Sequence, residues 1–152
     1  MPTWTPAIAV GHPVIDRQHQ ELFERADRLL EAMRERRAPA EVEGLLAFLE
    51  GYVLRHFADE EWLMEVGSYS RRAAHRAEHA AFEREIGAVR RAFGERGPSP
   101  VLVLEVKDLL RNWLVRHVST VDAEMAHSLE AQGGDPPPDA QNSARSMRRP
   151  PR

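Results

Sequence analysis

Helix breakers punctuate residues 16–132 at regular distances, and this punctuation leaves the chain little to form except four helices. Asp16 can cap a first helix running to about Arg37. Pro39 stands where a first-turn proline opens a second, spanning about 40–66 ahead of Gly67. Ser70 and Gly94 bracket a third over about 71–93. Ser99 and Pro100 supply a cap and a first-turn proline for a fourth over about 100–132, which Gly133-Gly134 stops. Nothing reads as a strand.

Apolar spacing agrees with the punctuation. Leu22, Ala26, Leu29 and Met33 form one stripe, and Leu45, Leu49 and Val53 a second, at steps of three and four residues. Phe82, Ile86, Val89 and Phe93 do the same in the third segment, and Val106, Leu110 and Trp113 in the fourth. Such stripes must bury one another, so the expected fold is all-α, an up-down-up-down antiparallel four-helix bundle over residues 1–134. Residues 1–15, with Trp4, Ile8, Val10 and Val14 among three prolines, are expected to form an extended arm along its side. Residues 135–152 hold five of the eleven prolines and four arginines with almost no apolar mass, and are expected to be disordered.

Composition then narrows the function. With no cysteine, any metal must be held by histidine and carboxylate, which excludes thiolate zinc and iron–sulfur sites. The net charge is −3, and without the tail's four Arg and two Asp, 17 basic residues face 22 acidic ones, which excludes the basic face that nucleic acid requires. No run approaches the ~20 apolar residues that span a bilayer, and the start MPTWTPAIAVGH has neither the basic end nor the apolar run of a secretory signal. The expectation is a cytoplasmic protein without a membrane partner.

Five of the seven histidines continue the apolar stripes. His19 lies three residues before Leu22, His56 three after Val53, His75 and His79 seven and three before Phe82, and His117 four after Trp113. A single inward histidine is ordinarily a hydrogen-bonded core residue. Five in one small bundle carry a desolvation cost that a metal offsets better than scattered carbonyls do. Glu60 follows His56 by four residues and shares its face. Asp122 follows His117 by five, about 140° around an ideal helix, whereas Glu124 at seven falls back near the His117 face. Either Glu124 is the second carboxylate, or the fourth helix is overwound or bulged so that Asp122 reaches the site; periodicity alone favours Glu124. Two six-coordinate metals offer about twelve positions, and five imidazoles, two bridging carboxylates and a bridging oxo or hydroxo group fill all but one. Seven oxygen and nitrogen ligands without sulfur suit iron or manganese better than a closed zinc site.

Four stretches now carry a resemblance: Val14-Ile15-Asp16-Arg17-Gln18-His19 with Leu22, His56-Phe57-Ala58-Asp59-Glu60-Glu61 with Met64, His75 and His79 with Phe82, and Trp113-Leu114-Val115-Arg116-His117 ending at Asp122. In this order and at these separations they resemble the hemerythrins, particularly the single-domain bacterial ones, from Trp4 to about Leu129. The resemblance implies two non-haem irons with a bridging oxo or hydroxo group and no organic cofactor. It implies His75, His79 and His117 on one iron, His19 and His56 on the other, and Glu60 and Asp122 bridging. It selects Asp122 over Glu124, and with it a fourth helix that departs from α geometry near 117–122.

The implied function is reversible O2 binding at the open position of the iron held by His19 and His56, in a carrier, store or sensor. Leu22, Phe57, Trp113 and Val115 map near the family's ligand pocket, with plain core packing as the alternative. Family members of this size imply a monomer; no protein partner is indicated. The usual Tyr-Pro entry to the third helix is replaced by Tyr69-Ser70, and His12 and His127 match no ligand position and are expected to be structural, His12 at the surface. The alternative function is a di-iron oxidoreductase acting on O2, peroxide or nitric oxide. A ferritin-like version needs a Glu-x-x-His pair from each of two helices, and only Glu124 to His127 qualifies here. A metal-free bundle is the remaining alternative.

Overall fold

A computed structural model of the chain describes residues 4–131. The described residues form a four-helix bundle without strands. Helices α1 (Pro13–Arg34), α2 (Pro39–Val66) and α3 (Arg72–Arg96) follow one another through short connections, so each runs antiparallel to the one before. The fourth rod is composite. It begins as α4 (Pro100–Asp108), continues through π-helical segments at Leu109–Val115 and His117–Asp122, and ends as α5 (Ala123–Glu130). α1 packs on α2, α2 on α3, and α4 on both α1 and α3, which closes the ring. None of these helices is long and apolar enough to cross a membrane.

The start of α1 differs from the expected one. Pro13, with φ preset for a first turn, opens the helix three residues early, and His12 caps it by accepting from the Ile15 amide at 3.4 Å through Nδ1. His12 is therefore a half-buried cap rather than a plain surface residue. Asp16 sits inside the first turn and accepts from the amides of Val10 and Gly11 at 2.7 and 3.1 Å, tying the preceding segment to the helix. That segment is less extended than expected, with a 3₁₀ turn at Pro6–Ile8, and Trp4 and Ile8 pack on the bundle's core.

Two glycines matter at the other ends. α3 runs through Gly94 and stops at Gly97, whose φ of 69° is the left-handed conformation an L side chain resists. Gly94 lacks that conformation, so it does not break the helix. Gly67 ends α2 where a Cβ would collide with the Leu129 side chain, so α5 seats directly on the turn. Ser99 Oγ accepts from the Leu102 amide at 3.1 Å with Pro100 behind it, the start expected for α4. The expected stop at Gly133-Gly134 and the tail 135–152 lie outside the described residues.

The core is two apolar clusters. The larger runs along the bundle from Leu22 and Phe57 to Met33, Phe93 and Leu102 and includes the expected stripes, with Leu45 at its margin. The smaller joins Ile15, Leu63, Met64, Tyr69, Met125 and Leu129. Between them, on every rod, lie the inward histidines and carboxylates: Ile15 precedes His19, Leu63 follows Glu60, and Met125 follows Asp122.

Candidate metal centre

Seven ionisable side chains meet in this gap, all essentially removed from solvent: His19, His56, Glu60, His75, His79, His117 and Asp122. α1 contributes His19, α2 contributes His56 and Glu60 one turn apart, and α3 contributes His75 and His79 one turn apart. The fourth rod contributes the remaining two through its second π segment, which begins at His117 and ends at Asp122. In π geometry residues five apart are hydrogen-bonded neighbours, so the spacing that misplaces Asp122 on an α-helix aligns it here. The helix is wound more loosely rather than overwound. Glu124, which periodicity favours, lies on the surface and accepts from Arg71 at 2.6 and 2.8 Å.

The carboxylates divide the histidines into two groups. Glu60 turns Oε1 to His56 and His19, at 3.0 and 3.6 Å from Nε2, and Oε2 to His79 and His75, at 3.1 and 3.3 Å. Asp122 turns Oδ2 to His19 at 3.0 Å and Oδ1 to His117 and His75 at 2.9 and 3.1 Å. Each carboxylate thus turns one oxygen to members of the His75, His79 and His117 group and the other to the His19 and His56 group. In both groups one ligand atom from each member, the shared Glu60 and Asp122 included, lies within 4.8 Å of the others.

These contacts are short but misdirected for hydrogen bonds. All four carboxylate oxygens and the Nε2 atoms of His19, His75, His79 and His117 are buried without a hydrogen-bond partner. So many orphaned acceptors in one chamber are costly unless a cation lies between them, and the donor set fits iron. Without a cation, protons take that role. Burial alone lowers the pKa values of His19 and His75, but contact with Asp122 and Glu60 outweighs it and lifts each to about 9. Burial and the Glu60 charge push Asp122 upward, yet His117 and His19 hold it well below the carboxylate range.

The outer faces of three histidines are also held, by residues the sequence reading does not single out. His56 Nδ1 lies 2.8 Å from Gln18 Oε1, His79 Nδ1 3.2 Å from Glu61 Oε1, and His117 Nδ1 3.0 Å from Glu78 Oε2. Glu61 and Glu78 are braced by Arg76 and Arg116 at 3.2 and 3.1 Å. Adjacency to Glu60 hints at Glu61; nothing local links Gln18 to His56 or Glu78 to His117, because those pairs meet only across helices.

Of the expected pocket residues, Leu22, Phe57 and Trp113 are buried in the larger cluster and Val115 packs against it. Phe57 stacks on His79 at 3.8 Å, and Trp113 on His117 at 4.2 Å. Both rings thus lie against the three-histidine group, and Phe57 is tilted toward His56 at 6.0 Å. His127 is exposed on α5, outside both core and site.

Fold and site together define a helical bundle protein with a buried histidine–carboxylate centre that could hold cations. The profile of the hemerythrin HHE cation binding domain matches residues 10–127. A bacteriohemerythrin of Pseudomonas aeruginosa (strain LESB58) is 36% identical over 124 residues, covering 79% of this chain and 76% of the relative. Another, from Stenotrophomonas maltophilia, is 30% identical over 84% of this chain and 81% of its own length. The myohemerythrin of Sipunculus nudus is 26% identical over 78% and 86%. The chain belongs to the hemerythrin family.

Proposed function

We propose that this chain holds two non-haem irons and binds O2 reversibly, as a carrier, store or sensor. His75, His79 and His117 would hold one iron and His19 and His56 the other, while Glu60 and Asp122, which face both groups, would serve both. The observation that carries the reading is the division of each carboxylate between the two histidine groups, with ligand atoms otherwise orphaned. Three histidines against two leaves the His19 and His56 iron one ligand short, and that shortfall is the room for a small ligand.

The iron pair supplies the affinity for O2 and the electrons that bind it. The chain supplies everything else. Glu61 and Glu78 accept the Nδ1 protons of His79 and His117, which turns each Nε2 lone pair inward and makes the imidazole a stronger donor. Leu22, Phe57 and Trp113, with Val115 packed against them, put apolar surface beside the centre, with the two aromatic rings on its three-histidine side, and this surface keeps out water and protons.

The test is iron content per chain with optical spectra of the anaerobically reduced protein, then in air, then after the air is removed. Two irons and a visible band that comes and goes with O2 are expected. A pair that oxidises once and stays oxidised would replace this reading with a di-iron oxidoreductase, and a chain that takes up no iron would leave a bare bundle. Replacing His56 with Ala is expected to abolish the oxygenated band; its survival would overturn the ligand assignment.

A further inference from the structure

We infer that Gln18, held in one orientation by Asp59, is the positioning residue that fixes His56 in its Nδ1–H form and keeps it a weaker donor than His79 and His117. The inference rests on the di-iron reading for its consequences, although the hydrogen-bond chain itself stands without metal. Gln18 Nε2 donates to Asp59 Oδ2 at 2.6 Å, and Gln18 Oε1 faces His56 Nδ1 at 2.8 Å. A carboxylate can only accept, so Asp59 selects the amide end that turns toward it and leaves the carbonyl oxygen for His56. A carbonyl can also only accept, so His56 must carry its proton on Nδ1, and its Nε2 lone pair points at Glu60 and the chamber. The chain of three residues spans α1 and α2, and it reaches His56 from a residue that is not itself a ligand.

The partner's charge is the second half of the inference. His79 and His117 donate their Nδ1 protons in hydrogen bonds to carboxylates, which makes each imidazole a stronger electron donor to a metal; His56 donates to a neutral amide. Among the described residues, Nδ1 of His19 has no hydrogen-bond partner. The two-histidine position therefore lacks carboxylate-backed imidazoles, while the three-histidine position has two. Weaker donors favour the lower oxidation state of the metal they would hold.

Three variants and two readouts test this. In nitrogen-15 NMR of histidine-labelled, metal-free protein, the His56 Nδ1–H resonance is expected to disappear in Gln18→Leu. In Co2+ titrations followed by visible absorption, Gln18→Leu is expected to bind one of two equivalents ~10–100-fold more weakly and leave the other unchanged, while Glu78→Leu weakens the opposite equivalent. The double exchange Gln18→Glu with Asp59→Asn can keep both hydrogen bonds of the Gln18 link, with the new amide on α2 donating to the new carboxylate on α1, but places a carboxylate behind His56. It is expected to retain the Nδ1–H signal and both equivalents, and to lower the midpoint potential of the iron-loaded pair. Equal weakening of both equivalents in Gln18→Leu, or loss of the Nδ1–H signal in the double exchange, would overturn the inference. If the parent chain takes up no metal pair, the di-iron reading fails, and the Nδ1–H signal still decides whether Gln18 sets the tautomer.

Discussion

The two apolar clusters on either side of the metal centre differ in size and in what depends on them. The larger follows all four rods over most of their length, with Phe23, Leu29, Leu30, Phe82, Ile86 and Leu110 fully buried. The smaller has six buried residues and closes one end, where Tyr69 of the α2–α3 connection and Leu129 of α5 meet. A bundle whose long cluster persists without metal can hold the seven histidine and carboxylate side chains close before any cation arrives. The short cluster contributes less to holding the rods together, and its position makes it the cover of the chamber.

Truncation in each cluster separates these roles. Leu29→Ala removes a fully buried side chain ten residues beyond His19 and is expected to cost about 2–5 kcal/mol in urea unfolding, with two metals still bound per chain. Met125→Ala, three residues past Asp122 and equally buried, is expected to cost about 2–5 kcal/mol as well. Its distinct signature is faster loss of metal to an external chelator under native conditions. Equal chelation rates in the two variants would mean that the small cluster is not a cover.

The pH response is a gentler way to probe the same division. In the metal-free chain, His19 and His75 have pKa values raised to about 9 from an ordinary 6.5, so their contribution is complete below 6.5 and is lost as pH rises toward 9. Asp122 and Glu60 are held low, so their contribution is present above the ordinary carboxylate range and is lost on acidification. The metal-free melting temperature is therefore expected to be highest between about 4.5 and 6.5 and to fall toward 9. Metal uptake displaces the protons, so the metal-bound chain is expected to gain stability relative to the metal-free one over the same rise. A metal-free melting temperature that stays level from 6.5 to 9 would refute the proton bookkeeping.

The regular parts of this molecule were legible because burial and periodicity coincide in them. Phe82, Ile86, Val89 and Phe93 are all buried on α3, and Pro39 and Pro100 open helices where a preset φ allows. His56 with Glu60, and His75 with His79, stand one α-helical turn apart, so spacing alone brings each pair to one face. What spacing could not deliver depends on departures from α geometry or on contacts between helices. The start of α1 departs from the one Asp16 predicts because two capping signals compete within five residues, and Pro13 with His12 prevails. Gln18 and Glu78 serve histidines on other helices, 38 and 39 residues away, and no local pattern encodes that.

The smallest expected effect tests the largest departure. Glu124→Gln removes the surface pair with Arg71 and is expected to leave metal content, metal affinity and the Co2+ spectrum unchanged, because that carboxylate points away from the chamber. Asp122→Asn is expected to weaken both metal equivalents, since its two oxygens face different histidine groups. The contrast probes the π segment, because helical winding decides which of the two carboxylates reaches the His117 face. On an α-helix Glu124 would be the ligand and Asp122 the bystander. With His117–Asp122 wound as a π-helix the order reverses. Loss of metal in Glu124→Gln together with full binding in Asp122→Asn would mean that the fourth rod is α-helical when metal is bound.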